Sequence, residues 1–185
     1  MAIELPAGAT SAVTDEDLMA LTDDGCKHEL VDGEITTMPT SGEHEDIGMV
    51  LAALLRPHAL AIGRMYGSSV GCRMQGGNVR SPDVSVMRRE RLPNGRSPRS
   101  FLEGAPDLCV EIISPSEDRR DILRKLNEYF DSGAEQVWLV YPETRTVAVY
   151  SLAADWTSLG PEDELTGGAL MPGFRCKVAE IFQID

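Results

Sequence analysis

Residues 108–130 read LCVEIISPSEDRRDILRKLNEYF. Leu108 to Ile113 form a mostly apolar run of strand length, SPSED carries turn chemistry, and the remainder repeats apolar residues at helical spacing. A strand, a turn and a helix therefore follow one another, with one anomaly in each regular element. Glu111 sits in the middle of the strand, and Lys125 sits in the stripe of the helix that should face a core. Because alternate strand residues share a face, Cys109, Glu111 and Ile113 lie on one side and Val110 and Ile112 on the other.

The helix spans about 116–131 and stops at Ser132-Gly133. Counting from Ile122, the positions i, i+3, i+4 and i+7 are Ile122, Lys125, Leu126 and Tyr129, flanked by Leu123 and Phe130. Arg119, Arg120, Arg124 and Glu128 point to solvent or to a groove edge. A buried, unpaired ammonium costs several kcal/mol, so Lys125 calls for anionic company. The helix packs back on the strand that carries Glu111. If the alternating stretch SPDVSVM (81–87) pairs beside that strand, Asp83 approaches Glu111, and two close carboxylates tend to bind a proton or a divalent cation. The residues alone leave two readings open: an internal Glu111–Lys125 ion pair with Asp83 ending a loop, or a functional site.

Outward from this segment, EQVWLVYP and RTVAVYSL, joined at Glu143-Thr144, form a strand hairpin. Strand 107–113, the helix and strand 136–141 fit a right-handed crossover unit. Toward the N-terminus, Thr14–Asp17 opens a short capped helix. KHELVDGEITTM (27–38) is a hairpin centred on Asp32-Gly33. Residues 43–62 carry helical spacing (Ile47, Val50, Leu51, Leu54, Leu55), with Pro57 leaving the second half open. Residues 64–79 hold one or two strands, and RRERLPNGRSPRSFLEGAP forms a long loop. The tail LTGGALMPGFRCKVAEIF gives a last strand or loop and one helical turn. This order predicts an α/β protein, a central mixed β-sheet flanked by α-helices, in a single domain over 1–185.

Composition sets the outer bounds. Of 185 residues, 42% are hydrophobic and 25% charged, the profile of a soluble globular chain, with no run long enough to span a membrane and no signal-peptide pattern. A cytoplasmic location is expected. Cys26, Cys72, Cys109 and Cys176 lack zinc-site spacing and are expected to be reduced, Cys109 as a small core residue. The net charge of −13 argues against a polyanionic partner. However, residues 73–125 carry eleven Lys/Arg against eight Asp/Glu, so the positive charge is concentrated around Glu111 and Lys125. The basic stretch 88–99 reads equally as a partner-binding or a solvated loop.

PDV at 82–84, EIISPS at 111–116 and DILRKLNEYFDSGAEQVWLVYP at 121–142 together resemble the Uma2 family, restriction-endonuclease-like proteins of the PD-(D/E)XK nuclease superfamily. HELVDGEI, His44 in a helix, and the closing MPGF before EIF extend the resemblance from about residue 14 to 182. It implies a restriction-endonuclease-like core and a metal-dependent phosphodiesterase. Asp83 matches the aspartate of the PD element, and Glu111, 28 residues on, matches the acidic residue of (D/E)XK. The pattern calls for lysine at 113, where this chain has Ile113, so Lys125 on the following helix stands as the displaced lysine.

The resemblance further implies that Asp83 and Glu111, with the Ile112 main-chain carbonyl, ligate Mg²⁺ or Mn²⁺. Lys125 then positions water or stabilises the transition state. Glu29 resembles an extra acidic residue of some members; as a residue it also reads as a surface carboxylate of the hairpin. His44 is a weaker candidate, and His28 and His58 weaker still. Ser114 and Ser116 read as turn and helix-cap residues rather than nucleophiles, and Tyr129 as core. Arg119, Arg120 and Arg124 are candidates for phosphate contact or for a solvated face. The expected partner is nucleic acid, DNA in the first place, and cutting both strands calls for a homodimer. Against the endonuclease stand a non-catalytic DNA- or protein-binding module retaining the nuclease fold, favoured by the acidic total charge, and a metal-dependent hydrolase of something smaller than DNA.

Overall fold

The computed structural model describes residues 13–21, 26–38 and 41–183. In chain order, α1 (Asp15–Met19) precedes a hairpin of β1 (Lys27–Val31) and β2 (Glu34–Met38). Helix α2 (Gly42–Ile62) runs directly into β3 (Gly63–Gly67), followed by the short β4 (Cys72–Arg73) and β5 (Val79–Arg80). β6 (Val84–Arg88) leads through two 3-10 turns to β7 (Leu102–Glu103) and β8 (Leu108–Ile112). Helix α3 (Arg119–Asp131) connects β8 to β9 (Gln136–Tyr141), which turns into β10 (Thr146–Ser151) and β11 (Ala154–Leu159). β12 (Glu164–Gly167), β13 (Met171–Lys177) and α4 (Val178–Ile181) complete the described elements.

The central sheet has six strands in the order β11-β10-β9-β8-β6-β3. Its pairs are antiparallel except β8 with β9, which are parallel, as the strand–helix–strand reading required. The predicted alternation along β8 is realised. Val110 and Ile112 face Ile47, Leu51, Leu55 and Ala59 of α2, while Cys109 and Ile113 face Ile122, Leu126 and Tyr129 of α3. Each fully buried aliphatic side chain contributes on the order of 1.5–3 kcal/mol, so the two helices clamp the sheet from opposite faces. A five-stranded sheet, β2-β1-β5-β4-β7, adds Cys72, Met74 and Leu102 to the α3 side. Burial pushes the Cys72 thiol up to about 12, the behaviour of an inert core group.

Local chemistry explains the boundaries. Thr14 and Asp17 form the anticipated capping box on α1. Asp32 and Gly33 both take positive φ (52° and 81°), as a two-residue hairpin turn matching strand twist requires. Ser41 caps α2 by accepting from the His44 N–H at 3.2 Å. Pro57 does not end that helix, because Leu55 and Ala59 on either side of it are fully buried against the sheet. The cap of α3 is Asp118, accepting from the Arg120 N–H at 2.7 Å, rather than Ser116, and the helix starts three residues later than the spacing suggests. Three strands, not one or two, begin within 63–79, and the tail holds two strands before its helical turn. β11 gave no sequence signal: ADWTSL lies almost wholly exposed on the sheet edge, so neither face carries an apolar pattern.

Candidate functional site

Val84 pairs with Val110 across β6 and β8, and the N–H of Asp83, just before β6, donates to the Val110 carbonyl at 3.0 Å, which brings Asp83 beside Glu111. Both carboxylates are buried, at 6% and 2% exposure. Asp83 Oδ2 accepts from the Ile112 N–H at 2.8 Å, and its Oδ1 accepts from Lys27 Nζ at 2.8 Å. His44 Nε2, brought in by the first turn of α2, lies 3.2 Å from Asp83 Oδ2. Glu111 Oε1 accepts from the Tyr129 hydroxyl, and Oε2 accepts from Lys125 Nζ at 3.1 Å. Lys27 Nζ is also 3.7 Å from Glu111 Oε2, and Glu117 Oε1 is 3.5 Å from Lys125 Nζ.

These side chains come from β1, α2, the residue before β6, β8, and α3 with its preceding turn, and close the floor of a cavity of about 560 Å³. The mouth is acidic: Glu43, Glu117, Asp118, Asp121 and Glu143 line it, outside Lys27, Lys125 and His44. Burial would raise the Asp83 carboxyl, but the Lys27 ammonium and His44 outweigh it and hold Asp83 well below the usual carboxylate range. At Glu111 burial wins over Lys125 and Lys27, and its carboxyl is pushed upward. The His44 imidazole loses charge stability to burial but gains more from Asp83, so its pKa rises. Two neighbouring carboxylates thus have opposite tendencies.

The match to the Uma2 family model, described as "Putative restriction endonuclease", runs over residues 15–179. The chain belongs to the Uma2 family. A solved structure of similar fold, a "putative nuclease belonging to DUF820" from Anabaena variabilis ATCC 29413, superposes with a TM-score of 0.73 at 21% identity, covering 93% of this chain and 98% of that one. The fold is therefore that of the restriction-endonuclease-like nucleases. No curated protein shows significant similarity to the chain. Restriction-endonuclease-like families generally use divalent metals.

The donor set of this Uma2 chain fits such an ion. Asp83 and Glu111 are hard oxygen donors that already share one cation, the Lys27 ammonium. Among the described residues no group of three His, Cys, Asp or Glu side chains converges as a closed ligand shell. Mg²⁺ needs none, since it keeps several waters and binds through one or two carboxylates plus substrate phosphate.

Of the residues singled out in the sequence, Asp83, Glu111 and Lys125 meet at one point, and Ile112 lines the same cavity. Glu29 is fully buried rather than on the hairpin surface, yet it turns away from the cavity: Oε2 accepts from Arg80 at 3.0 Å and Oε1 from the Ser81 N–H at 2.9 Å. Ser114 and Ser116 sit in the turn before α3, their hydroxyls 3.2 Å apart. His58 packs edge-on against Phe174, and His28 meets Thr37. Arg119 and Arg120 are exposed, while Arg124 bridges Asp32 and Asp121.

Two arginines of the basic stretch are taken up internally, while Arg89, Arg96 and Arg99 are exposed. Arg88 pairs with Glu135, and Arg91 reaches Asp107 at 3.2 Å and the Ala105 carbonyl at 2.8 Å. Lys27 is the residue the sequence did not yield. In KHELV, Lys27 and Glu29 alternate like the polar face of a half-exposed strand, whereas both are buried. Two buried carboxylates call for more than one cation, and which residue supplies the second is seen only in the fold.

Proposed function

We propose that this chain is a Mg²⁺- or Mn²⁺-dependent endonuclease that hydrolyses DNA phosphodiester bonds at Asp83, Glu111 and Lys125. The observation that carries the reading is the carboxylate pair on adjacent strands, sharing a cation at the floor of an open cavity. In this reading Asp83, Glu111 and the Ile112 carbonyl hold the metal. When bound, the ion polarises the phosphoryl oxygen and makes a water more acidic. Lys125, tied to Glu111 and Glu117, directs its ammonium at the water or at charge developing on the phosphate, where its burial strengthens its effect. Tyr129 fixes the Glu111 rotamer from the other side. Glu29 contributes through position, since its bonds to Arg80 and Ser81 hold β1 and hence Lys27 in place. The enzyme is read as cytoplasmic, and as a homodimer where both strands are cut.

The test is cleavage of supercoiled plasmid and single-stranded DNA with Mg²⁺ or Mn²⁺ by wild type, Asp83→Ala and Lys125→Ala. Cleavage by wild type alone supports the reading; equal cleavage by Lys125→Ala removes the lysine from it. A second reading, a binding module that keeps the fold, draws on the acidic mouth of the cavity. It is favoured if DNA is bound, with affinity falling steeply with salt, but not cut with any divalent metal.

A further inference from the structure

Lys27 directly precedes the HELVDGEI stretch; its side chain is only 6% exposed, and among the described residues its ammonium is the cation closest to Asp83. Glu111 has Lys125 at 3.1 Å and the Tyr129 hydroxyl, so its negative charge is answered without Lys27. Among the described residues Asp83 has, besides Lys27, only His44 and the Ile112 N–H. Lys27 also enters from a different sheet: β1 belongs to the five-stranded sheet, whereas both carboxylates come from the edge of the β6–β8 pair in the six-stranded one. Its ammonium is therefore held at the carboxylates by charge, at the end of a flexible four-carbon stem.

A metal ion bonds a carboxylate oxygen at about 2.0–2.1 Å in the case of Mg²⁺. An ion bridging Asp83 and Glu111 would occupy the space where Lys27 Nζ now sits, 2.8 Å and 3.7 Å from the same two groups. A divalent ion and an ammonium cannot share that space, because their repulsion at such a separation is strong in a buried site.

We propose that Lys27 is the resident cation of the carboxylate pair in the metal-free protein, and that metal loads by exchange, releasing the ammonium into the cavity as a phosphate ligand. This inference rests on the metal-site reading above. The ammonium stays protonated throughout; only its partner changes. Charge counting supplies the consequence. Asp83 and Glu111 balance Lys27 and Lys125 before loading, and afterwards the same groups plus a divalent ion carry a surplus of two positive charges. The floor of the cavity then attracts a phosphodiester that it ignored before.

Three lysines, Lys27, Lys125 and Lys177, make the exchange directly visible in wild-type protein. Pulsed acetylation followed by mass spectrometry, with and without Mg²⁺, should show Lys27 slow without metal and about tenfold faster with it, with the exposed Lys177 unchanged as the internal reference. Titration calorimetry with Mn²⁺ alone should show Lys27→Met binding about tenfold more tightly than wild type, because the competitor is gone. A merely structural Lys27 predicts equal or weaker binding in that variant. Should Lys27→Met fail to fold, the wild-type acetylation experiment decides. Wild type that binds Mn²⁺ while Lys27 stays equally protected overturns the exchange and leaves the metal site standing. Wild type that binds no divalent metal overturns both.

Discussion

Asp83, one residue before the Val84–Val110 pair, shares the Lys27 ammonium with Glu111 of the neighbouring strand, at 2.8 Å and 3.7 Å. The two carboxylates repel one another, and the site exists because cations from β1 and α3 flank them. Replacing Asp83 by Ala should abolish divalent-metal binding measured by calorimetry, whereas Glu29→Gln should leave it within a fewfold of wild type. Unchanged affinity in Asp83→Ala removes the carboxylate pair as the metal site.

The Glu111–Lys125 pair makes a stability prediction separate from activity. Removing one partner strands the other in a buried place, which typically costs about 3–5 kcal/mol. Lys125→Met alone should therefore lower the urea midpoint sharply. The double variant Lys125→Met/Glu111→Gln should recover a good part of the loss, because no unpaired charge is left. Equal destabilisation by the single and double variants contradicts the pairing.

His44 should titrate above the ordinary histidine value in metal-free protein, since Asp83 favours its charged form more than burial opposes it. The stability it contributes is full below the unfolded-state pKa of about 6.5 and is lost as pH rises through the raised folded value. NMR titration of the ring should give a midpoint above 6.5 in wild type. In Asp83→Asn the midpoint should fall, as burial then acts with less opposition.

Arg91 distinguishes a structural arginine from a DNA-contacting one. It is tied to Asp107 and to the carbonyls of Ala105 and Gly133. Arg91→Ala should cost about 1–3 kcal/mol in thermal or urea unfolding, and should leave the salt dependence of nucleic-acid binding unchanged.

Much of this was legible in one segment. Glu111 and Lys125 violate the periods of the elements that carry them, and such violations report burial without revealing partners. The period-2 face of β8 and the period-3.6 face of α3 then place both groups in one layer. Lys27 was illegible for the opposite reason: in KHELV its alternation with Glu29 is the ordinary pattern of a solvated strand face, and only the approach of that face to Asp83 and Glu111 reverses the meaning. The stretch 88–99 stayed open in the sequence, since a run of positive charge says nothing of Asp107 and Glu135, which pair with Arg88 and Arg91 from just before β8 and β9. β11 lacked a signal altogether, being held by backbone pairing to β10 with nothing buried beneath it.

The ring of carboxylates at the cavity mouth has a consequence for how fast a polyanion arrives. A strand of nucleic acid approaching this protein meets Glu43, Glu117, Asp118, Asp121 and Glu143 before it meets Lys27 or Lys125, on a chain of net charge −13. Long-range attraction cannot guide the encounter, and productive collisions are slowed rather than steered. At 0.1 M salt that repulsion is screened beyond about 10 Å, and more salt shortens its reach further. Added salt should therefore speed association before it loosens the complex, the reverse of the usual order for a protein that finds DNA by charge.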